Sequence, residues 1–528
     1  MEPTWLEYSR VKSLCTSTAF SRNKRTASAV EDRRRGMNLQ LTRRARGGCI
    51  IGSMATRDEQ LQRLAREQFD ILILGGGVNG AGIARDLALR AKEGGRALNL
   101  GLIEKRHFAS GTSGKNSQLI HGGLRYLKYF EFKLVHEALR ERATLLEIAP
   151  HLVRPQPFLI PTYDWFSRVY YGTGLWLYDV LAGSRNIAHH RRLSREEVLA
   201  VEPGLNPHGL TGGALFYDCR VHAARFVLAN LVDAVDHGVA AANYADASKP
   251  VREGDSWSVP VTDGLSGARF NVRARKLIDT RGAWADGGSL RLVRGSHLIF
   301  PRLNASENAI AHFEQDGRII FLIPWGERNN LTLVGTTDVD HDGTADDVRI
   351  SPEEVAYLRG IVGRLYPQAP AEPICSYSSL RPLVRDERDS PTSTSREHRI
   401  WNNEDGILRV AGGKYTTYRA MSEEASDLAC RDVAPELESI HLTAERSLPR
   451  LERPADEIDR AVSVEMAQRL SDLMFVSTYW GYERQWTPDS LAPIAHRMGA
   501  LLHWDDARTN REMEEAMAAA YLPKEALR

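Results

Sequence analysis

The chain has 528 residues, enough by length alone for roughly two to four domains with a large core. Lys and Arg number 69 against 68 Asp and Glu, so the net charge of +1 excludes a broadly basic nucleic-acid-binding surface or a docking face for an acidic partner as the organising feature. The 5 cysteines (Cys15, Cys49, Cys219, Cys375, Cys430) are odd in number and scattered, with no C-x-x-C pair. That pattern argues for a reducing compartment and against a disulfide framework or a zinc site, and no apolar run approaches the ~18 residues of a membrane span.

Residues 1–53 are rich in arginine, with Arg33-Arg34-Arg35 and Arg43-Arg44-Ala45-Arg46, and show no sustained periodicity. Such a segment reads as a mitochondrial presequence, as an unstructured tail, or as sequence upstream of a true start at Met37 or Met54. The third reading is preferred, because Met54-Ala55-Thr56 leads directly into a helical pattern over 58–67. The basic extension, taken as disordered over 1–66, is left out of the fold.

The centre of the chain is the stretch 69–104. An apolar run, Ile71-Leu72-Ile73-Leu74, enters Gly75-Gly76-Gly77-Val78-Asn79-Gly80, then a helical segment, then a second apolar run that ends in Glu104. Strand, glycine turn, helix and strand follow in order, and Gly75, Gly77 and Gly80 fit the G-x-G-x-x-G dinucleotide fingerprint. The helix start offers N–H groups and a positive dipole end to a pyrophosphate, and Glu104 can accept ribose hydroxyls. Next comes Gly111-Thr112-Ser113-Gly114-Lys115-Asn116-Ser117, whose small residues and hydroxyls can converge on phosphate oxygens.

Leu119-Ile120-His121-Gly122-Gly123-Leu124-Arg125-Tyr126 precedes an amphipathic helix over 132–148. Residues 155–180 are rich in aromatics and read either as a surface dipping into a bilayer interface or as a buried helix or contact between two copies of the chain. The spacing of Trp176, Leu177 and Val180 favours a core stripe. A helix over 223–235 follows, then a β-meander ending in a strand over 274–279. Short β-rich runs around 298–300, 319–323 and 331–334 predict a mostly antiparallel sheet. A second strand–glycine–helix junction, Gly412-Gly413-Lys414-Tyr415-Thr416-Thr417-Tyr418, has the shape of another cofactor contact, and the polar segment from 455 onward predicts a small all-α domain.

These motifs, with Gly295-Ser296-His297, Gly335-Thr336-Thr337-Asp338 and Leu380-Arg381-Pro382-Leu383, run from about 69 to 430 in an order that resembles the FAD-dependent, quinone-linked glycerol-3-phosphate dehydrogenases. The related glycerophosphate oxidases are close by, and the stretch from His121 to Tyr126 is specific to this family. The resemblance implies an α/β fold: a Rossmann-like FAD-binding domain (67–127 with 205–290 and 400–432), an antiparallel β-rich substrate domain (128–204 with 291–399) and a C-terminal helical domain (433–528). The tail looks shorter than the family's, and the calcium-binding extension of mitochondrial members is absent, which favours a bacterial-type enzyme.

The implied reaction is oxidation of sn-glycerol 3-phosphate to dihydroxyacetone phosphate by hydride transfer to flavin N5, with electrons passed to a membrane quinone. The implied partners are that substrate, the quinone, the surface of the inner face of the cytoplasmic membrane and a second copy of the chain as a homodimer, with no nucleic acid. Arg125, Tyr126 and Arg381 match the positions of a phosphate grip, since a guanidinium fork suits phosphate oxygens. His121 is the expected base for the C2 hydroxyl, with His297 as competitor. Lys414 and the helix after Gly413 are expected to stabilise the reduced flavin, with Arg381 also acting in the chemistry. Gly75, Gly77, Gly80, Glu104, Thr112, Ser113, Ser117, Gly282, Gly413, Lys414 and Thr416 are the expected cofactor contacts.

Two departures stand out. Asp279-Thr280-Arg281-Gly282-Ala283-Trp284 replaces the small neutral run with Gly-Pro-Trp usual in the family, and Gly114 stands where a second serine is common. Asp338-Val339-Asp340-His341-Asp342-Gly343 begins like a calcium loop, but Arg349 stands where the twelfth-position glutamate is needed, so no metal is expected. The alternatives to a dehydrogenase are an oxidase of the same substrate using oxygen and an FAD-binding protein whose catalysis has decayed. An amine or amino-acid oxidase is disfavoured because its carboxylate-binding pattern does not match Arg125-Tyr126.

Overall fold

The computed structural model describes residues 56–285, 290–314, 317–326, 328–369, 372–384 and 398–523. The readings placed on 1–53, including the starts at Met37 and Met54, lie outside the described residues. Residues 57–66 do not belong to a disordered extension, which corrects the boundary at 66. They form α1 (Arg57–Arg66), closed at its start by a capping box between Thr56 and Glu59. Leu64 is fully buried, and Arg57 pairs with Asp263 at 2.5 Å in a buried site.

The first sheet is built around β1 (Gln68–Leu74). After α2 (Val78–Glu93) the chain returns as β2 (Leu100–Ile103), parallel to β1. Both faces of β1 are covered, so Ile71 to Leu74 are a continuous apolar run rather than an alternating one. β3 (Leu119–Ile120), α3 (Phe132–Ile148), β4 (Val153–Thr162), α4 (Trp165–Ala182), β5 (Arg191–Leu193), α5 (Arg195–Val201) and β6 (Gly212–Val221) follow. Then come α6 (Ala223–Asp236), β7 (Ala240–Ala242), β8 (Ala245–Ala247), β9 (Val251–Glu253), β10 (Ser256–Asp263) and β11 (Arg269–Asp279). β11 lies parallel to β1 on the side away from β2, and pairs antiparallel with β10 at its start.

The remaining strands are β12 (Leu290–Pro301), β13 (Ala309–Phe313), β14 (Ile319–Trp325), β15 (Leu331–Gly335), β16 (Val339–Asp340), β17 (Cys375–Val384), β18 (His398–Asn402) and β19 (Leu408–Gly412). The later helices are α7 (Pro352–Leu365), α8 (Tyr418–Val433), α9 (Glu457–Ser463), α10 (Pro488–Leu502) and α11 (Asp506–Ala519). The first sheet runs β18-β19-β11-β1-β2-β7, with α2 packed between α6 and α8. The second runs β16-β12-β15-β14-β13-β4-β6-β3 and is antiparallel except where β13 meets β4. Residues 212–221, inside the 205–290 stretch given to the FAD-binding domain, form the strand β6 of the second sheet. α7 covers one face of the second sheet, with Val355, Leu358 and Leu365 against Leu298 and Phe300.

Two expectations are corrected by burial. Trp176 and Val180 are not a core stripe: they are 59% and 56% exposed, while α4 buries Gly172, Leu175, Tyr178 and Ala182. α4 is apolar on every side, so spacing alone cannot say which side faces the core. The C-terminal region is helical as expected but not polar throughout. Leu470, Leu473, Met474, Tyr479 and Tyr482 are buried in the same apolar cluster as Ile71, Ile73 and Phe226. Cys219, Cys375 and Cys430 are free and buried.

Candidate active site

The turn after β1 is shaped by close approach. Gly75 has φ +108°, and a Cβ there would lie 2.9 Å from the Thr280 carbonyl oxygen. A Cβ on Gly80 would lie 1.9 Å from the Gly75 carbonyl oxygen, so only glycine lets α2 start so near the strand. Gly77 caps α2 with no side chain of its own. The Gly76 N–H donates to Glu104 Oε2 at 2.7 Å, and the Arg106 N–H to Oε1 at 2.9 Å. Each carboxylate oxygen keeps a lone pair for a further donor. Burial raises the Glu104 pKa, against the pull of those two N–H groups.

The small-residue loop is held from within. The Val78 N–H, in the first turn of α2, donates to Ser113 Oγ at 2.9 Å, which leaves that hydroxyl its own proton. Thr112 lines the cavity while its hydroxyl donates to the Leu380 carbonyl at 2.5 Å, which ties this loop to β17. Ser117 Oγ lies 2.9 Å from His297 Nε2. Lys115, not anticipated as a site residue, lines the cavity, and burial together with the charge of Arg106 pushes its pKa down to about 8. Its signal in the sequence was a lone cation inside a loop of small residues.

His121 sits in the turn between β3 and the 3-10 segment Leu124–Tyr129. Thr416, expected to contact the cofactor, clamps this turn: its hydroxyl accepts the His121 N–H at 3.1 Å and donates to the His121 carbonyl at 3.2 Å. Beneath the turn, buried Asp218 accepts the Gly122 N–H at 3.4 Å, the Tyr178 hydroxyl at 2.8 Å and an Arg142 N–H at 2.6 Å. The Lys414 ammonium lies 3.8 Å from the centre of the Tyr126 ring. Arg381 donates to the Thr337 carbonyl at 3.0 Å, to Asp338 Oδ1 at 2.9 Å and, through Nη2, to Thr336 Oγ1 at 2.9 Å. Arg125 Nη1 lies 3.5 Å from the other Asp338 oxygen. Asp338 therefore joins the two guanidinium groups rather than starting a calcium loop, and Asp340 pairs with Arg291. Desolvation, then the Arg381 charge, lowers the His297 pKa to about 3. Its Nδ1 has no hydrogen-bond partner among the described residues.

α8 begins at Tyr418, at the end of the expected Gly412–Tyr418 junction, because Gly412 and Gly413 at φ +72° and +79° lead into the short turn Tyr415–Thr417. The departure at 279–284 leaves the turn intact. Asp279 binds Arg281 through both oxygens at 3.0 and 2.9 Å and also takes Arg409 at 2.8 Å, so the added cation is folded back. The Thr280 hydroxyl reaches the Leu74 and Gly75 carbonyls at 2.9 and 3.0 Å. The Trp284 indole N–H donates to Asp346 Oδ1 at 2.7 Å, where Lys105 and Arg106 also converge.

One cavity of about 550 Å³ lies among these groups. It is lined by Gly75, Gly77, Glu104, Thr112, Ser113 and Ser117, by His121, Arg125 and Tyr126, and by Gly282, His297, Arg381, Gly413 and Lys414. Gly80 and Thr416 stand behind that wall. Asp338, Thr336 and Asp218 also line it and were not anticipated in that role: the first two carried only membership of a short motif, and Asp218 carried no signal in the sequence.

The family model for FAD dependent oxidoreductases matches residues 70–419. A Mycobacterium tuberculosis protein named glycerol-3-phosphate dehydrogenase 2 is 36% identical over 390 residues, covering 71% of this chain and 65% of its own. The chain thus spans about two thirds of that relative's length. A Synechocystis glycerol-3-phosphate dehydrogenase is 38% identical over 394 residues, covering 68% of this chain and 69% of its own. Among solved structures, the Bacillus halodurans glycerol-3-phosphate dehydrogenase complexed with FAD matches with a TM-score of 0.67 at 22% identity, covering 88% of this chain and 97% of that one. The residues present fit FAD. Gly77 opens the start of α2 onto the cavity with no side chain in the way, Glu104 keeps acceptor capacity, and Lys115 is a desolvated ammonium paired with no carboxylate among the described residues. By its family model and its relatives, the chain belongs to the FAD-dependent oxidoreductases, in the glycerol-3-phosphate dehydrogenase family.

Proposed function

We propose that this protein oxidises sn-glycerol 3-phosphate to dihydroxyacetone phosphate and passes the electrons to a membrane quinone. The observation that carries the reading is Arg125 and Arg381 on either side of Asp338, in the same cavity as His121, Lys414 and the Gly75–Glu104 cradle. Two guanidinium forks suit the oxygens of a phosphate monoester. Bound FAD supplies the two-electron acceptor.

The chain's own residues divide the rest of the work. His121, with its backbone clamped by Thr416, takes the C2 hydroxyl proton. His297 is a poor base, because a group with a pKa of about 3 does not hold a proton near neutral pH. It shapes the wall through Ser117. Lys414, held against the Tyr126 ring, places positive charge where negative charge develops. In this reading the first sheet carries the cofactor, the second sheet the substrate grip, and 433–523 buttress both.

The quinone assignment and attachment to the inner face of the cytoplasmic membrane draw support from α4. Trp165 and Phe166 are 73% and 71% exposed at its start. From Phe166 a ladder of rings runs inward: Tyr170 at 6.1 Å, Tyr171 a further 5.4 Å, then Phe313 at 4.3 Å, which lines the cavity. Such a surface suits a bilayer interface, and no helix among the described residues is long and apolar enough to cross a membrane.

The test is anaerobic addition of glycerol 3-phosphate to the purified yellow protein. Loss of the oxidised-flavin absorbance is expected, and an unchanged spectrum overturns the reading. Turnover with a soluble ubiquinone analogue, exceeding peroxide formation in air, separates a dehydrogenase from an oxidase.

A further inference from the structure

We propose that Asp338 is an internal counter-anion that positions Arg125 and Arg381 and competes with the substrate phosphate for them, which weakens binding and lets the phosphorylated product leave. This rests on the phosphate-grip reading above.

Asp338 is set firmly. The preceding residue, Thr337, donates its hydroxyl to buried Glu354 at 2.6 Å and accepts the Ser296 N–H at 2.9 Å. Glu354 also takes the Ser296 hydroxyl at 2.9 Å and Arg294 at 2.9 Å. The Asp338 side chain is 5% exposed, while Arg381 and Arg125 are 21% and 17% exposed. The carboxylate is the more buried member; Arg381 is held to it at 2.9 Å, and Arg125, at 3.5 Å, has the looser hold on it.

The charges explain the purpose. Two like-charged guanidinium groups side by side repel, and one carboxylate between them holds them at a set separation. Both guanidinium groups line the cavity, so their forks can meet an incoming phosphate there. Once that anion binds, Asp338 repels it. A residue with a merely structural role does the opposite: its loss splays the arginines and weakens the phosphate.

The test is Asp338→Asn, which keeps the shape and removes the charge, measured as the FAD-loaded enzyme. Inorganic phosphate is expected to inhibit the variant roughly tenfold more tightly than wild type, with KM for glycerol 3-phosphate falling and kcat falling with it as release slows. Asp338→Glu, which keeps the charge, is expected to stay near wild type in phosphate inhibition. Weaker or unchanged phosphate inhibition in Asp338→Asn overturns the proposal, and does so with the activity reading intact if wild type still turns over glycerol 3-phosphate. If Asp338→Asn does not retain FAD, a crystal structure of wild type with inorganic phosphate decides. Phosphate on both guanidinium groups, with at least one released from Asp338, is expected. Phosphate bound elsewhere, or both Asp338 contacts kept, overturns it.

Discussion

Arg381→Ala is the perturbation that bears most directly on the proposed substrate grip. Arg381 is about one-fifth exposed and is oriented by the Thr337 carbonyl and the Thr336 hydroxyl, so its fork is ordered before substrate arrives. A hydrogen bond to a charged group contributes about 1.5–3 kcal/mol net. At about 1.4 kcal/mol per factor of ten, removing it raises KM by roughly 10- to 150-fold. The upper part of that range is expected, because the variant leaves the buried Asp338 carboxylate facing the phosphate with one cation fewer. Arg381→Lys keeps the charge and loses the fork, so it falls between wild type and Ala. The assay is steady-state turnover with a soluble acceptor, alongside FAD content and melting temperature. If Arg381→Ala and Arg125→Ala both keep KM within about twofold of wild type while holding FAD, the phosphate site is elsewhere.

Gly80→Ala forces a Cβ to within 1.9 Å of the Gly75 carbonyl, so purified protein with most of its FAD missing and a lowered melting temperature is expected; full FAD occupancy contradicts the cradle. Glu104→Gln removes a charged acceptor, so FAD affinity measured by reconstitution of the apoprotein is expected to fall about tenfold, and an unchanged affinity denies the ribose contact. His297 has its pKa depressed in the folded state, from 6.5 to about 3. The unfolded chain binds its proton first, so stability from neutral His297 is complete above about 6.5 and is lost as pH falls toward 3. Denaturant melts of His297→Gln are expected to show a shallower loss across that window, and an unchanged slope refutes the assignment. Trp165→Ser with Phe166→Ser is expected to cut co-sedimentation with anionic lipid vesicles about tenfold or more, and equal pelleting removes α4 as the membrane face.

The cofactor half of the site was the easier half to read. A glycine at each of three positions, a helix start and a terminal carboxylate leave a linear pattern, because all of them lie within 36 residues that form one βαβ unit. Asp338 was hidden for the opposite reason. It meets Arg125 and Arg381 only once β15 and β17 have both paired with β12, and its local string imitates a calcium loop. The protein partners of Thr112 and Thr416 were not legible either, since a hydroxyl gives no hint of which carbonyl it will find. α4 defeated periodicity because both of its faces are apolar, and only packing shows that Tyr178 points inward while Trp176 does not. The buried stretch inside the C-terminal region was equally obscure: Leu473–Ser477 is a π-turn, which breaks the 3.6-residue rhythm that would have marked it.

That π-turn has a practical corollary. Tyr479 reaches back to accept the Ala224 N–H at 3.2 Å and to bond Gln118 at 3.1 Å, and its ring stacks on His222 at 4.0 Å. The C-terminal segment after about 433, just under a fifth of the chain, is thus a plug seated against α6 and the Gln118 turn, not an appendage hung beside them. Removing it would uncover the His222 ring and leave the buried Ala224 N–H and Gln118 without Tyr479, so a shortened protein ending near 433 should be recovered as aggregate, while the intact chain should melt in a single step.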